Sequence, residues 1–326
     1  SFAQSGSYIH MLTTFGVLIL FGAIVFLLLK LVVDKNRYDG QSLQDEKWGL
    51  QAVGLGLLSL LFAGWPFWLV DVPIQSGFPW DRPSLAFMPG AALFWAGLLV
   101  IIVQPRARLW ILTGVVSLAM VFHYQNALTY INEWKQVKQV FQQLIWRAPE
   151  LEKNTFLLTD GIPFLYYGDN TLSPALNWIY APGLHDNTVP YRVFDLNIRR
   201  QTTFKEIGRN LPVKHNYRSF KFSGSTDQMV AFHLSPGKCL RVLGPQDQSL
   251  PDIPDQLGDV LYMSRLDLIK ITDASDANLP HVFGSAVEKD WCYYFESAEL
   301  AGQLGEWDRV VELYRESTEK GFVPYS

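Results

Sequence analysis

The chain has 326 residues, of which 49% are hydrophobic and 18% charged, and its formal net charge is -4. This balance argues against a nucleic-acid partner, because the phosphate backbone is bound by clustered Lys and Arg and no such cluster occurs. The average also conceals two unlike halves, since long runs nearly free of charge precede Asn132, whereas charges recur every few positions from Glu133 onward.

The first half contains four apolar runs, each close to the roughly 20 residues that a helix needs to cross a bilayer. The predicted spans are residues 8–33, 48–70, 85–103 and 108–126, so the transmembrane region covers 1–126. A signal peptide is the rival interpretation of the first run, but its apolar core is too long and a small-residue cleavage pattern is lacking. Because the chain begins at Ser1 rather than Met, we expect a processed chain or a part of a longer one.

Orientation follows from positively charged loops, which stay in the cytoplasm. Such residues occupy the loop after the first span and the connection between the third and fourth (Lys35, Arg37, Lys47, Arg106 and Arg108). The loop before the third span and everything after residue 126 then lie outside. We therefore expect a multi-pass protein of the bacterial cytoplasmic membrane with an extracytoplasmic C-terminal domain.

The external loop "FPWDRPSLAFMPG" (78–90) places Asp81 and Arg82 between two apolar runs. One interpretation is a solvated or mutually paired couple at headgroup level, since surface ion pairs rarely do more. The other is a site in which Arg82, beside Asp81, holds a lipid phosphate or an anionic headgroup. Membrane lipids are partners in either case.

After the spans, an amphipathic connecting helix is predicted over 127–149, continuous with the fourth span and ended by Pro149. Short β-rich runs follow, bounded by Gly, Pro, Asn or Asp, with a helix-like segment at 255–266 among them. The strand candidates are residues 155–160, 191–198, 219–224, 229–234, 239–244 and 267–272. They predict an α+β domain over 150–285, large enough to bury its own core.

One segment of this domain, residues 157–183, is rich in groups that bind ligands. Its candidates are Asp160, Asp169, Asn170, Asn177 and Tyr180. Carboxylates, amides and aromatics in a loop at a strand end suit a sugar or a hard cation. Alternatively, the Asp and Asn residues cap turns and helices, which is their commonest use in loops.

Catalytic and metal-binding motifs are absent from the sequence. It has no G-x-S-x-G elbow, P-loop, dinucleotide fingerprint or H-E-x-x-H. The six histidines are scattered singly, so neither a metal nor a cofactor is expected. Cys239 and Cys292 are either a disulfide, which is permitted outside the cytoplasm, or two separately buried thiols.

The last segment, residues 286–326, has the helical spacing of a two-helix hairpin with Gly305 at the turn. It resembles a single tetratricopeptide repeat, although Val310 and Ser317 stand where that repeat usually has Ala. We expect Trp307 and Tyr314 to pack inward against the first helix. A lone repeat cannot bury both of its faces, so the hairpin docks either on its own domain or on a partner. We expect it to dock on its own domain and to leave one face for a partner. The candidate partner-binding residues are Trp307 and Glu312.

The predicted fold class is four membrane helices followed by a soluble α+β domain that ends in this hairpin. Several stretches, including "FPWDRPSLAFMPGAALFWAGL", "TLSPALNWIYAP" and "WCYYFESAELAGQLGEWDRVVELYRES", resemble the C-terminal half of a group of uncharacterised bacterial polytopic membrane proteins. The layout is similar to that of membrane glycosyltransferases that use polyprenyl-phosphate sugars.

Two functions are compatible with these patterns. The first is a non-catalytic anchor or assembly subunit that binds other membrane-protein subunits. The second, implied by the resemblance, is the C-terminal half of a glycosyltransferase that uses lipid-linked sugars. Its key acidic residues belong to an early external loop that has no counterpart here, so the resemblance assigns no catalytic residue.

Overall fold

The structure is a computed structural model that describes residues 16–17, 19–28, 30–31, 42–71, 82–235, 237–271, 279–283, 288–322 and 324. It divides into two compact units, Ser1–Ile131 and Asn132–Ser326. Asp81 lies outside the described residues, as do 12 of the 26 residues of the predicted first span.

The first unit is helical. Its elements are α1 (Ile19–Leu28), α2 (Ser42–Leu69), a 3-10 turn (Arg82–Phe87) followed directly by α3 (Met88–Ile102), and α4 (Pro105–Arg147). Within the described part of the chain, three helical segments are long and apolar enough to cross a membrane, namely Glu46–Leu69, Arg82–Ile102 and Ala107–Arg147. Of the expected first span, the structure describes the shorter α1 and a few residues beside it, so the described residues support three of the four predicted spans and do not test the first.

α4 joins the last predicted span to the predicted connecting helix. It runs unbroken over 43 residues and ends at Arg147, two residues before Pro149. The residue before a proline is disfavoured in the helical region, which explains the end of the helix at this place.

Glycines bring α2 and α3 into backbone contact. A Cβ added to Gly56 would lie 2.6 Å from the Phe94 nitrogen, and one added to Gly97 would lie 2.7 Å from the Gly49 oxygen. Any side chain at these positions would force the helices apart. Close approach through small residues is the usual packing mode of helices in lipid, where no hydrophobic force drives them together.

The second unit is built on a four-stranded sheet. Its strands are β2 (Phe156–Thr159), β3 (Arg192–Asp195), β6 (Met229–His233) and β7 (Arg241–Leu243), and their order across the sheet is β3-β2-β6-β7. The first three run parallel and β7 is antiparallel to β6. A helix, α5 (Asp169–Tyr180), connects β2 to β3, as parallel neighbours require a crossover.

Smaller elements surround this sheet. They are β1 (Glu150–Leu151) paired with β8 (Ile269–Lys270), a hairpin of β4 (Pro212–Tyr217) and β5 (Phe220–Ser225), and the one-turn helices α6 (Leu196–Arg199) and α7 (Asp255–Gly258). The helix-like segment predicted at 255–266 consists of α7 and a 3-10 turn at Leu261–Met263.

Both faces of the sheet are covered. In β2, Leu157 enters one apolar cluster, whereas Phe156 and Leu158 enter the other, on the opposite face. Every residue of β2 and β3 is buried, which is typical of parallel strands that lie between two layers.

The C-terminal hairpin consists of α8 (Trp291–Gln303) and α9 (Trp307–Glu319), and Gly305 between them has φ 76°. That left-handed conformation favours glycine and ends α8 sharply.

The predicted inward packing of α9 is wrong. Trp307 and Tyr314 are 67% and 66% exposed, whereas Leu313 and Ser317 on the other face are buried. Leu313 and Ser317 are four residues apart and therefore share the buried face of α9.

Candidate functional site

The carboxyl ends of three parallel strands meet at one edge of the sheet, because β3, β2 and β6 run in the same direction. β2 is followed by Asp160, β3 ends at Asp195, and β6 ends at His233. In open α/β sheets this edge is where ligand-binding side chains collect.

Asp160, His233 and Ser235 form a hydrogen-bonded row at this edge. His233 Nδ1 lies 2.9 Å from Asp160 Oδ1, and its Nε2 lies 2.9 Å from Ser235 Oγ. A carboxylate only accepts, so in the tautomer that fits both contacts Nδ1 carries the proton and Nε2 accepts from the Ser235 hydroxyl. The imidazole is thus held in one tautomer by Asp160, with its free lone pair directed at the serine.

Local chain geometry places the histidine and the serine together. Residues two apart in an extended chain point to the same side, so Ser235 falls beside His233 just past the end of β6. The sequence Ser-Pro-Gly-Lys that follows is typical of a tight turn, with Gly at the position of positive φ. In the structure Gly237 has φ 72°, and the Lys238 N–H donates to the Ser235 carbonyl at 3.1 Å.

Ser235 also lines a cleft of about 340 Å³. This volume lies at the lower end of the range for small-molecule sites. Its walls combine amide and charged side chains with apolar ones (Gln136, Gln139, Gln143, Lys238, Asp290, Val140, Pro163, Phe164 and Leu234). A different, apolar cavity beneath the sheet measures about 20 Å³, which is room for a water molecule rather than a ligand.

Asp195 stands at the same edge but has a structural role. Its carboxylate accepts from the Asn197 N–H at 2.9 Å and so caps α6. Burial raises the pKa of Asp195, and this hydrogen bond opposes the rise. Asp195 therefore fixes the chain that leaves β3.

The predicted ligand residues are separated by the structure. Asp160 belongs to the row described above. Asp169 is buried and accepts from Arg199 through both oxygens, at 2.6 and 2.8 Å. Asn170 accepts from the Arg192 guanidinium. These two pairs hold the first turn of α5 against β3 and the chain after it, rather than facing a ligand.

Asn177 and Tyr180 also bind within the fold. The Asn177 amide donates to the Tyr191 carbonyl at 2.7 Å and accepts from the Tyr191 N–H at 3.1 Å. The Tyr180 hydroxyl donates to the Ala148 carbonyl at 2.6 Å. The segment predicted as an irregular binding loop thus contains a helix whose polar groups fasten it to its neighbours.

The remaining candidates lie elsewhere. Arg82 is exposed at the first residue of the 3-10 turn before α3. Trp307 and Glu312 are exposed on α9, where Glu312 pairs with Arg309. Cys239 and Cys292 form a disulfide, with Cα atoms 5.3 Å apart.

Sequence reasoning missed His233 and Ser235. The available signal was an H-x-S tripeptide, His233 to Ser235, at the end of an apolar strand. It indicates a site only together with Asp160, which lies 73 residues earlier in the chain. Within the described residues, no group of three or more His, Cys, Asp or Glu is placed to hold a metal ion.

Comparisons of this chain with protein-family models, curated proteins and solved structures found no match.

Proposed function

We propose that this chain is a multi-pass protein of the bacterial cytoplasmic membrane whose 150–326 region lies outside the cytoplasm. There it serves as an anchor or assembly subunit of a membrane complex. Three membrane-length apolar helices support the anchoring part of this proposal.

The observation that carries the external location is the Cys239–Cys292 disulfide. Disulfides persist in oxidising compartments and are rare in the cytosol, where thiols are kept reduced. The Lys and Arg residues that follow the predicted first span, together with Arg106 and Arg108 at the start of α4, favour the same orientation.

The assembly role rests on the exposed face of α9. Trp307, Val311 and Tyr314 follow at intervals of four and three residues, so they lie on one side of the helix, and they are 67%, 48% and 66% exposed. Aromatic residues are enriched in the centres of protein interfaces. A neighbouring subunit that buries this face would remove two large rings from water.

Orientation is tested by thiol labelling of intact cells with an impermeant reagent. Single cysteines are introduced by Ser42→Cys in the predicted cytoplasmic loop and by Asn187→Cys on an exposed segment of the second unit. We expect Asn187→Cys to react directly and Ser42→Cys to react only after permeabilisation. The reverse pattern refutes the proposed orientation.

Assembly is tested separately by cross-linking and co-purification. Trp307→Glu together with Tyr314→Glu should remove any companion subunit while leaving the thermal unfolding of the chain unchanged. The control is Arg315→Glu, an exposed change next to this face. A wild-type chain that purifies alone, without cross-linked neighbours, contradicts the assembly role.

The second candidate function is the C-terminal half of a glycosyltransferase that uses lipid-linked sugars. The observation that favours it is the position of Arg82, exposed at the first residue of the membrane-length segment Arg82–Ile102. A guanidinium at the end of a span can contact a polyprenyl phosphate through two hydrogen bonds, which an ammonium cannot reproduce. We expect wild type to co-purify with a polyprenyl phosphate and both Arg82→Lys and Arg82→Ala to lose it. If Arg82→Ala still co-purifies with the polyprenyl phosphate, Arg82 does not bind it.

A further inference from the structure

We propose that the second unit carries, beyond its anchoring role, an ester-hydrolysing site in which Ser235 is the nucleophile, His233 the general base and Asp160 the group that orients the base. The substrate class is a small carboxylic ester of a polar, hydroxyl-bearing alcohol.

The geometry of the row is the first argument. Each of its two hydrogen bonds is 2.9 Å long, inside the range of about 2.6–3.2 Å for a nucleophile, its base and the orienting group. The order along the row also matters, because the carboxylate binds Nδ1 and the hydroxyl binds Nε2. This is the arrangement of a serine-histidine-aspartate triad, which is recognised by geometry and roles rather than by chain order.

Access to the serine is the second argument. The His233 and Asp160 side chains are each 13% exposed, whereas Ser235 lines the 340 Å³ cleft. Acyl transfer requires a nucleophile that a substrate can reach and a base and an orienting group that are shielded from water. The three side chains meet these requirements. A purely structural role at the end of β6 would not require Ser235 to line such a cleft.

The cleft also indicates the substrate class. Gln136, Gln139 and Lys238 offer hydrogen-bond donors to the oxygens of a hydroxylated alcohol, and Val140 and Phe164 offer apolar surface to its carbon atoms. The modest volume favours a short acyl group over a fatty acyl chain.

The reaction proceeds in two balanced halves. Ser235 Oγ attacks the carbonyl carbon while Nε2 of His233 takes the hydroxyl proton. The tetrahedral intermediate collapses with cleavage of the carbon–oxygen bond of the ester, and the alcohol leaves with the proton from Nε2. Water then gives a proton to Nε2 and attacks the acyl-serine, which releases the carboxylic acid and returns the proton to Ser235.

Lys238 is the candidate for stabilising the oxyanion. Residue 236 is proline, which has no N–H, so the backbone donor that usually follows a nucleophilic serine is missing. Lys238 lines the same cleft, and its ammonium lies 3.8 Å from Asp252 on a side chain that is 53% exposed and free to turn. Once turned towards the ester, this ammonium would stabilise the developing negative charge.

The test uses the purified full-length chain in detergent and two probes, a fluorophosphonate and p-nitrophenyl acetate. Wild type should hydrolyse p-nitrophenyl acetate and Ser235→Ala should not. We expect the fluorophosphonate to add to Ser235, as located by mass spectrometry of the peptides. The matched control is Ser223→Ala, which changes an exposed serine of β5 and should label normally. Ser235→Ala should not label, and His233→Gln should label at least about 100-fold more slowly.

Two further measurements separate chemistry from folding. Thermal unfolding of each variant should stay within about 2 °C of wild type, which excludes loss of the site by unfolding. A Ser235→Cys variant should react with iodoacetamide, and its rate should fall when His233→Gln is added. Failure of wild type to label at Ser235, or iodoacetamide rates independent of His233, overturns the proposal.

Discussion

The Cys239–Cys292 disulfide should supply a large share of the stability of the second unit. It joins the turn before β7 to the first turn of α8 across 53 residues of chain. Closing a loop of that length removes entropy from the unfolded chain worth about 4 kcal/mol in the chain-entropy model. Domains are stabilised by only about 5–15 kcal/mol in total, so the loss is severe.

The perturbation is Cys239→Ala combined with Cys292→Ala, which avoids a free thiol. Each kcal/mol corresponds to a shift of about 2–4 °C in the midpoint of a domain of this size, so the expected drop is roughly 8–16 °C. Near-UV circular dichroism during heating reports on packed aromatic side chains, among them Trp146 and Tyr293, which pack edge to face with centroids 5.1 Å apart and of which Tyr293 follows Cys292 in the chain.

Reduction of the wild-type chain provides the control. Wild type treated with a reductant should unfold at the temperature of the double variant, and the variant should not respond to the reductant. A drop of less than about 2 °C in the double variant would refute the reasoning, because the loop would then already be constrained in the unfolded chain.

Three further predictions concern packing and charge. Gly97→Leu should separate α2 from α3 and lower the free energy of unfolding of the detergent-solubilised chain by about 1–3 kcal/mol, as followed by thermal unfolding. The control is Gly54→Leu, which should have no effect because a Cβ added at Gly54 meets nothing within 4 Å. Leu313→Ala should lower the free energy of unfolding by about 2–5 kcal/mol, because Leu313 is buried. Tyr314→Ala should lower it by less than about 0.5 kcal/mol, because Tyr314 is exposed. Equal effects of the two substitutions would contradict the observed orientation of α9. Burial, with two nearby arginines, lowers the pKa of His215 to about 4, so the unfolded state binds the extra proton between about pH 6.5 and 4. The free energy of unfolding should therefore fall over that interval, and by clearly less than the roughly 3 kcal/mol of the full shift, because solvent screens the partly exposed ring. Parallel curves for wild type and His215→Gln would show that this histidine contributes nothing.

Several elements were recognisable because their signal is local. β2, β3 and β6 coincide with apolar runs bounded by turn residues, and Gly305 marks the turn of the C-terminal hairpin. α5 was not recognised, because Pro174 inside it and the glycines and prolines around it indicate a broken segment. It is helical because tertiary contacts override that propensity, as when Asn177 bonds both backbone groups of Tyr191.

The sequence pattern of α9 also does not predict which face of the helix is buried. An amphipathic pattern shows that a helix has two sides, but the partner decides which side is buried. Here Leu313 and Ser317 are buried, and Trp307 and Tyr314 stay exposed. The buried side is set by where the neighbouring elements lie, and their position is a property of the folded unit alone.

The sequence by itself determined the membrane-length helices, since crossing a bilayer requires only an uninterrupted apolar run of sufficient length. It contains the two cysteines of the disulfide and the three residues of the Asp160–His233–Ser235 row, but it does not show which of these residues contact one another. Only the tertiary structure decided these contacts, because the parallel pairing of β2 with β6 brings two strand ends together from positions 73 residues apart. Such pairing depends on burial of both sheet faces at once, a condition that no short stretch of chain can encode.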